Sequence, residues 1–276
     1  MKVKPMVRGM FPEHSRGPEL IHTPGTDVGY VSEIFCSVQG EGLYVGERQV
    51  FVRTAGCTAT CYWCDTKASK EEKDKCVVHG HTKRLLPNPI SAATVVEETL
   101  ALVEHRGPVR TVSLTGGEPL EQPEFTAAIA KRLRRKKFRV YLETSGLEFW
   151  GLRKVRPHVD VIAMDIKLPH ATGEDHWKAH HEFLSYLPGK ASFVKIIVDA
   201  PTPLEEIKQA VRLIASVDRD LPLVLQPEST TYLKSLKGSE ARKILGWLLE
   251  EGQRFALKHL SDARVIPQCH RILKVR

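Results

Sequence analysis

The sequence predicts an α/β fold built on a parallel sheet, in one barrel-like domain. Three observations lead there. Short apolar strand patterns alternate with helical patterns along most of the chain, the signature of βαβ units. Successive strands end in polar or glycine-rich residues, which in a barrel would gather on one rim. The length of 276 residues suits a single domain with a full core.

The elements follow in order. Residues 1–27 are rich in Pro, Gly and His, so an irregular N-terminal extension is expected, with the domain over 28–276. Val31 to Ser37 and Gln49 to Thr54 read as strands. Lys67 to Pro89 is a polar insertion with Lys and Glu clusters, expected as a loop or short helix near the site. Ser91 caps a helix through His105, with Thr94 as the other candidate cap. Then come strand Thr111 to Leu114, helix Glu121 to Lys137, strand Arg139 to Leu142, a turn near Phe149 to Arg156, and strand Val159 to Asp165. Glu174 to Leu187 reads as a helix of weak pattern, Ser192 to Val198 as a strand and Pro203 to Val217 as a helix. Strand Leu223 to Gln226, helix Ser239 to Leu257 and strand Ala263 to Val265 complete the series. No internal repeat and no linker interrupts it.

Composition narrows the class. Hydrophobic residues make up 42% of the chain, too many for global disorder. No run approaches the ~18 apolar residues of a membrane helix. The first residues carry charge but no apolar stretch follows them, which argues against a secretory signal. The net charge is +8, and much of it lies in the run Lys131 to Arg139 that closes a helix, where cations suit the macrodipole. That run has no aromatic interleaving beyond Phe138, so it reads as a solvated helix end and no direct nucleic-acid contact is expected. Three of the six cysteines share one short stretch, which points to metal ligation in a reducing, cytoplasmic compartment. Cys36 and Cys269 are expected as core thiols and Cys76 as a loop thiol.

The cysteine stretch is Gly56-Cys57-Thr58-Ala59-Thr60-Cys61-Tyr62-Trp63-Cys64-Asp65-Thr66. Three thiolates on a four-iron cluster leave one iron open to a small molecule, as the missing ligand of a catalytic zinc site does. Taken alone the triplet equally fits part of a zinc site, completed by Cys76, His79 or His81. Thr115-Gly116-Gly117-Glu118-Pro119 follows a short buried strand. Two glycines let a cofactor approach the backbone, and the carbonyls or the Glu118 carboxylate could meet an amino group. The competing reading is an ordinary strand-to-helix turn with Pro119 near the helix start. Glu143-Thr144-Ser145-Gly146, Asp165-Ile166-Lys167 and Gln226-Pro227-Glu228-Ser229 also end strands, and as a set they form the rim where a ligand would lie.

The cysteine triplet and the Gly-Gly-Glu-Pro segment together resemble the radical S-adenosylmethionine enzymes, which implies a partial (β/α)6 TIM-like barrel. Ser37-Val38-Gln39-Gly40-Glu41-Gly42, the segment Phe51 to Cys57, and Trp63-Cys64-Asp65-Thr66 narrow this. With Gln268-Cys269-His270-Arg271 they resemble the 7-carboxy-7-deazaguanine synthase family over about residues 31–272.

The resemblance implies roles. Cys57, Cys61 and Cys64 would hold a [4Fe-4S] cluster. Trp63, Cys64, Asp65, Gly117, Glu143, Thr144, Ser145 and the segment Gln226, Pro227, Glu228, Ser229 would line S-adenosyl-L-methionine. The substrate would be 6-carboxy-5,6,7,8-tetrahydropterin, contracted by radical chemistry to 7-carboxy-7-deazaguanine with loss of ammonia. Val38, Gln39, Gly40, Glu41, Thr115, Gln268 and His270 would meet it, and Arg53 would pair with its carboxylate. Thr66 would ligate Mg2+. Without the resemblance, Arg53 reads as half of a strand-end ion pair and Thr66 as a cap or turn hydroxyl. A flavodoxin- or ferredoxin-type electron donor and a homodimer are implied as well, with no membrane. The chain departs from the family pattern at Thr58, Cys269 and Arg271, and it runs six residues past His270. Two rival readings are a glycyl-radical enzyme activase and a non-enzymatic metal-cluster module that binds tRNA.

Overall fold

The computed structural model describes residues 27–71, 73–234 and 240–276. The irregular segment expected over 1–27 therefore lies outside the described residues except for Asp27. The elements are β1 (Val28–Gly29), β2 (Val31–Val38), β3 (Arg48–Thr54), β4 (Lys75–His79), β5 (Lys83–Pro87), β6 (Ile90–Ser91) and α1 (Ala92–Arg106). They continue with β7 (Thr111–Gly116), α2 (Pro123–Arg135), β8 (Arg139–Thr144), α3 (Phe149–Val155), β9 (Val161–Asp165), α4 (Pro169–Thr172) and α5 (Trp177–Leu184). The last are β10 (Ala191–Val198), α6 (Leu204–Val217), β11 (Leu223–Pro227), α7 (Ser229–Lys234), α8 (Glu240–Ala256), β12 (Ala263–Val265) and α9 (Cys269–Leu273).

Ten strands form one sheet in the order β12-β11-β10-β9-β8-β7-β3-β2-β4-β5. From β3 to β12 every neighbouring pair is parallel, and each crossover carries a helix. Spatial and chain order coincide along this run, and β12 and β5 remain edges, so the sheet is a partial, open (β/α)6 barrel in a single domain.

Alternation along the strands sorts the residues into two faces. Ile34, Val50, Val52, Val112, Leu114, Val140, Leu142, Ile162, Met164, Val194, Ile196 and Leu225 join one buried cluster with the helices. The other face carries Arg53, Thr115, Glu143, Asp165 and Lys195, which line a cavity. Its far end is closed by a small apolar layer of Tyr141, Val161, Ala163, Phe193 and Val224, on which Leu43 and Tyr44 pack.

Several expectations are corrected. The polar insertion opens with the expected short helix, a 3-10 turn over Lys67–Ser69 beside the cysteine loop, but then folds as the hairpin β4–β5, with β4 parallel to β2. Cys76 and Val78, two apart, are buried against the helical layer, and the hairpin pairs an edge of β2 that would otherwise be bare. Cys76 is thus a core thiol, not a loop thiol. Cys269 is only half-buried, at the start of α9 with Sγ 3.6 Å from the Pro267 carbonyl, because the chain there crosses the cavity and not the core. The helix expected from Glu121 to Lys137 begins at Pro123. Gln122 is drawn off to bond the Tyr30 and Ala55 carbonyls, and Lys137 adopts a positive φ of 65° beyond the helix end. The turn near Phe149 is the short helix α3, whose Leu152 and Val155 are buried. The expected cap is present: the Ser91 hydroxyl accepts from the Thr94 N–H at 3.0 Å.

Candidate active site

The inner face of the sheet and the loops at the C-terminal strand ends enclose a cavity of about 650 Å³. The cysteine loop forms one wall. It is pinned along its length: Gly56 N–H donates to the Ser69 carbonyl at 2.9 Å, and Cys57 N–H to the Lys70 carbonyl at 3.0 Å. Thr58 donates through both its N–H and its hydroxyl to Glu121 at 2.7 Å, Thr60 donates to the Thr172 carbonyl at 2.8 Å, and Tyr62 N–H to the Ala171 carbonyl at 3.2 Å. The strand end after β7 presses against this loop. A Cβ on Gly117 would fall 1.9 Å from the Gly56 carbonyl oxygen, so only glycine fits.

Cys57, Cys61 and Cys64 are free thiols facing the same cavity. Burial pushes the Cys57 thiol up to about 12, and the nearby Glu118 carboxylate adds to the rise. A thiolate there therefore calls for a compensating cation. The three candidate zinc partners are engaged elsewhere. Cys76 faces the helical layer, His79 bonds Glu33 at 3.1 Å, and His81 packs on His105 with ring centroids 4.8 Å apart. A multi-iron cluster with an open position fits this donor set. Polar atoms without partners lie close by in the fold: Trp63 Nε1 on the cavity wall, and Gln226 Oε1.

Glu118, on the cavity wall, also joins two strand ends. Its carboxylate accepts from Leu120 N–H at 3.0 Å, Thr144 Oγ1 at 2.8 Å and Ser145 N–H at 2.6 Å, locking the strand ends of β7 and β8 together. Burial raises its pKa, while the bonds from Ser145, Leu120 and Thr144 oppose the rise.

The inner face carries a charged network. Glu143 accepts from Gln39 Nε2 at 2.8 Å, Ser113 Oγ at 3.3 Å and Thr115 Oγ1 at 2.7 Å. Lys195 bonds Glu41 and lies 3.3 Å from Asp165, which also holds Lys167 at 2.8 Å. Burial alone would raise the Glu41 carboxyl, but the charge and bond of Lys195, with a bond from Gln268, hold it at about 2. Burial likewise works to neutralise Lys195, but Asp165, Glu41 and Glu143 keep its pKa well above the usual lysine value. Gln268 spans Glu41 at 2.5 Å and Asp65 at 3.3 Å, and Arg271 reaches Asp65 at 3.2 Å. Cys269 N–H donates to the Gly40 carbonyl at 2.8 Å, which lays α9 over the Gln39-Gly40 turn.

The cavity wall thus includes Val38, Gln39, Gly40, Glu41, Arg53, Thr66, Thr115, Gly117, Glu143, Thr144, Ser145, Glu228, Ser229, Gln268 and His270, together with Trp63 and Asp65. Gln226 and Pro227 are not on it; they are buried at the end of β11, behind Glu228 and Ser229. Glu33, Lys195 and Arg276, which no motif of the sequence singles out, are also on the wall. Lys195 carried a signal: it is a lone charge inside the apolar strand Ala191–Val198.

Comparison with known proteins agrees with the geometry. The Radical SAM superfamily pattern matches residues 51–167. A 7-carboxy-7-deazaguanine synthase of Geobacter sulfurreducens is 38% identical, covering 91% of this chain and 98% of the relative. One of Methanopyrus kandleri is 33% identical, covering 91% and 94%. Among solved structures, the crystal structure of QueE from Escherichia coli matches with a TM-score of 0.60 at 22% identity, covering 88% of this chain and 95% of that one, a likeness of fold.

Proposed function

This chain belongs to the 7-carboxy-7-deazaguanine synthase family, and on that premise we propose that its inner-face cavity converts 6-carboxy-5,6,7,8-tetrahydropterin to 7-carboxy-7-deazaguanine with loss of ammonia. The observation that carries the reading is one cavity with the cysteine triplet on one wall and Arg53, Gln39, Thr115 and Glu143 on the inner sheet face. When bound, the four-iron cluster and S-adenosyl-L-methionine supply the radical chemistry that removes a hydrogen atom from the substrate.

The chain's own residues bind and orient. Arg53 offers a guanidinium to the substrate carboxylate. Glu143, expected at the cofactor, has its two oxygens held by Gln39 and Thr115, which are expected at the substrate, and this supports a place for it between the two ligands. A carboxylate so held suits the N–H donors on the edge of a pterin ring. Gly117, Thr144, Ser145, Glu228 and Ser229 line the cofactor side. Thr66 brings a hydroxyl to Mg2+. The ligand atoms of Glu41, Asp65 and His270, within 4.8 Å of one another on the same cavity wall, support a divalent cation held partly by substrate oxygens.

The same proposal includes a flavodoxin- or ferredoxin-type electron donor, a homodimer, a cytoplasmic location, and a catalytic domain over 28–276 preceded by an extension. No helix among the described residues is long and apolar enough to cross a membrane. The test is anaerobic turnover: reconstituted protein, reductant, Mg2+ and S-adenosyl-L-methionine should form 7-carboxy-7-deazaguanine from the carboxylated pterin. Formation of 5′-deoxyadenosine with the pterin left unconsumed would refute the substrate assignment.

A further inference from the structure

Arg53 is not alone on its side of the cavity. Its Nε lies 3.0 Å from Glu33 Oε1, and Arg276 Nη1 lies 2.5 Å from Glu33 Oε2. Two guanidinium groups therefore converge on one carboxylate. Both also sit over the Phe35 ring, each 5.7 Å from its centroid, and Phe35 is stacked on Phe51 at 5.1 Å. Arg276 is placed by its backbone as well. The Ser37 hydroxyl donates to its carbonyl at 2.6 Å, and four residues back along the same strand Glu33 meets its side chain. Glu33, Phe35, Arg53 and Arg276 all line the cavity.

The two side chains share one carboxylate partner. His79 lies 3.1 Å from Glu33 and 2.9 Å from Arg276, but burial and the Arg276 charge hold its pKa below the usual value, so it adds no charge at neutral pH. Two guanidinium charges thus face one carboxylate, and no second carboxylate pairs with either among the described residues. Each guanidinium has five donors, and Glu33 takes only one from each. What remains on both guanidinium groups is unused forked donors, which match a further carboxylate.

We propose that Arg276 is a specificity residue: with Arg53 it forms a paired guanidinium clamp for the substrate carboxylate, and Glu33 holds the two forks together. This rests on the functional reading above. It also gives the segment beyond His270 a role that the family pattern does not assign.

The experiment is anaerobic equilibrium binding to the cluster-loaded protein with S-adenosyl-L-methionine present. Two probes are used: the carboxylated tetrahydropterin, and a tetrahydropterin lacking the carboxylate. The wild type should prefer the carboxylated probe. Arg276→Ala should weaken that probe by roughly tenfold, the low end for a charged hydrogen bond because the side chain is half exposed. It should leave the uncharged probe unchanged, and Arg276→Lys should recover part of the loss. If Arg276→Ala weakens both probes equally, or neither, Arg276 only orders the chain end and the inference is wrong. A wild type indifferent to the carboxylate overturns the functional reading, and this inference with it.

Discussion

The two faces of the ten-stranded sheet use the same strands for opposite ends. On β10, Val194, Ile196 and Val198 enter the helical layer, while Lys195 and Ile197 line the cavity. On β8, Val140 and Leu142 face the helices and Glu143 faces the cavity. One face buries hydrocarbon and stabilises the fold. The other keeps buried charges, held only because each is paired, as Lys195 is by Glu41 and Asp165. The period of two lets stability and chemistry be altered by substitutions one residue apart.

The comparison can be broken first at the cavity wall. Cys57→Ala should reduce iron content and turnover to background while leaving the far-ultraviolet dichroism of the folded chain in place. Retained S-adenosyl-L-methionine cleavage would show that the triplet is not the cluster site. On the opposite face, Leu142→Ala removes a fully buried side chain from the helical layer. It should cost about 2–5 kcal/mol in denaturant unfolding while turnover per folded molecule persists. A loss of turnover without a loss of stability would erase the division between the faces.

A subtler case joins the two. His180 is fully buried; its Nε2 accepts from the Lys167 N–H at 3.0 Å and its Nδ1–H donates to the Gly146 carbonyl at 3.2 Å, tying together the strand ends of β8 and β9. Burial holds it at about 4, below the ordinary histidine value, so it folds neutral. The unfolded chain takes up a proton first on acidification, so stability present above about pH 6.5 is lost as pH falls toward 4, by about 3 kcal/mol for a shift of this size. Unfolding midpoints from pH 7 to 4 should fall more steeply for the wild type than for His180→Gln. Parallel curves would remove His180 as the cause.

Much of the fold was legible because parallel strands buried on both sides read as apolar runs with helical patterns between them. The β4–β5 hairpin was not, since only Cys76 and Val78 of β4 are buried and lysines surround them. Site residues with a local pattern, such as the triplet and Gly117, stood out. Residues whose role depends on distant partners did not. The bonds that Thr144 and Ser145 donate to Glu118 come from another strand end, and no local pattern announces them. Glu33 and Arg276 are 243 residues apart, and no spacing joins them.

The most direct test of the central claim, that the inner face places the pterin for hydrogen removal by the cofactor, is label transfer. The substrate carries deuterium at the carbon bearing the carboxylate, and 5′-deoxyadenosine is analysed by mass spectrometry after anaerobic turnover. The account predicts deuterium in 5′-deoxyadenosine together with 7-carboxy-7-deazaguanine. Unlabelled 5′-deoxyadenosine, with the label retained in the pterin, would contradict it.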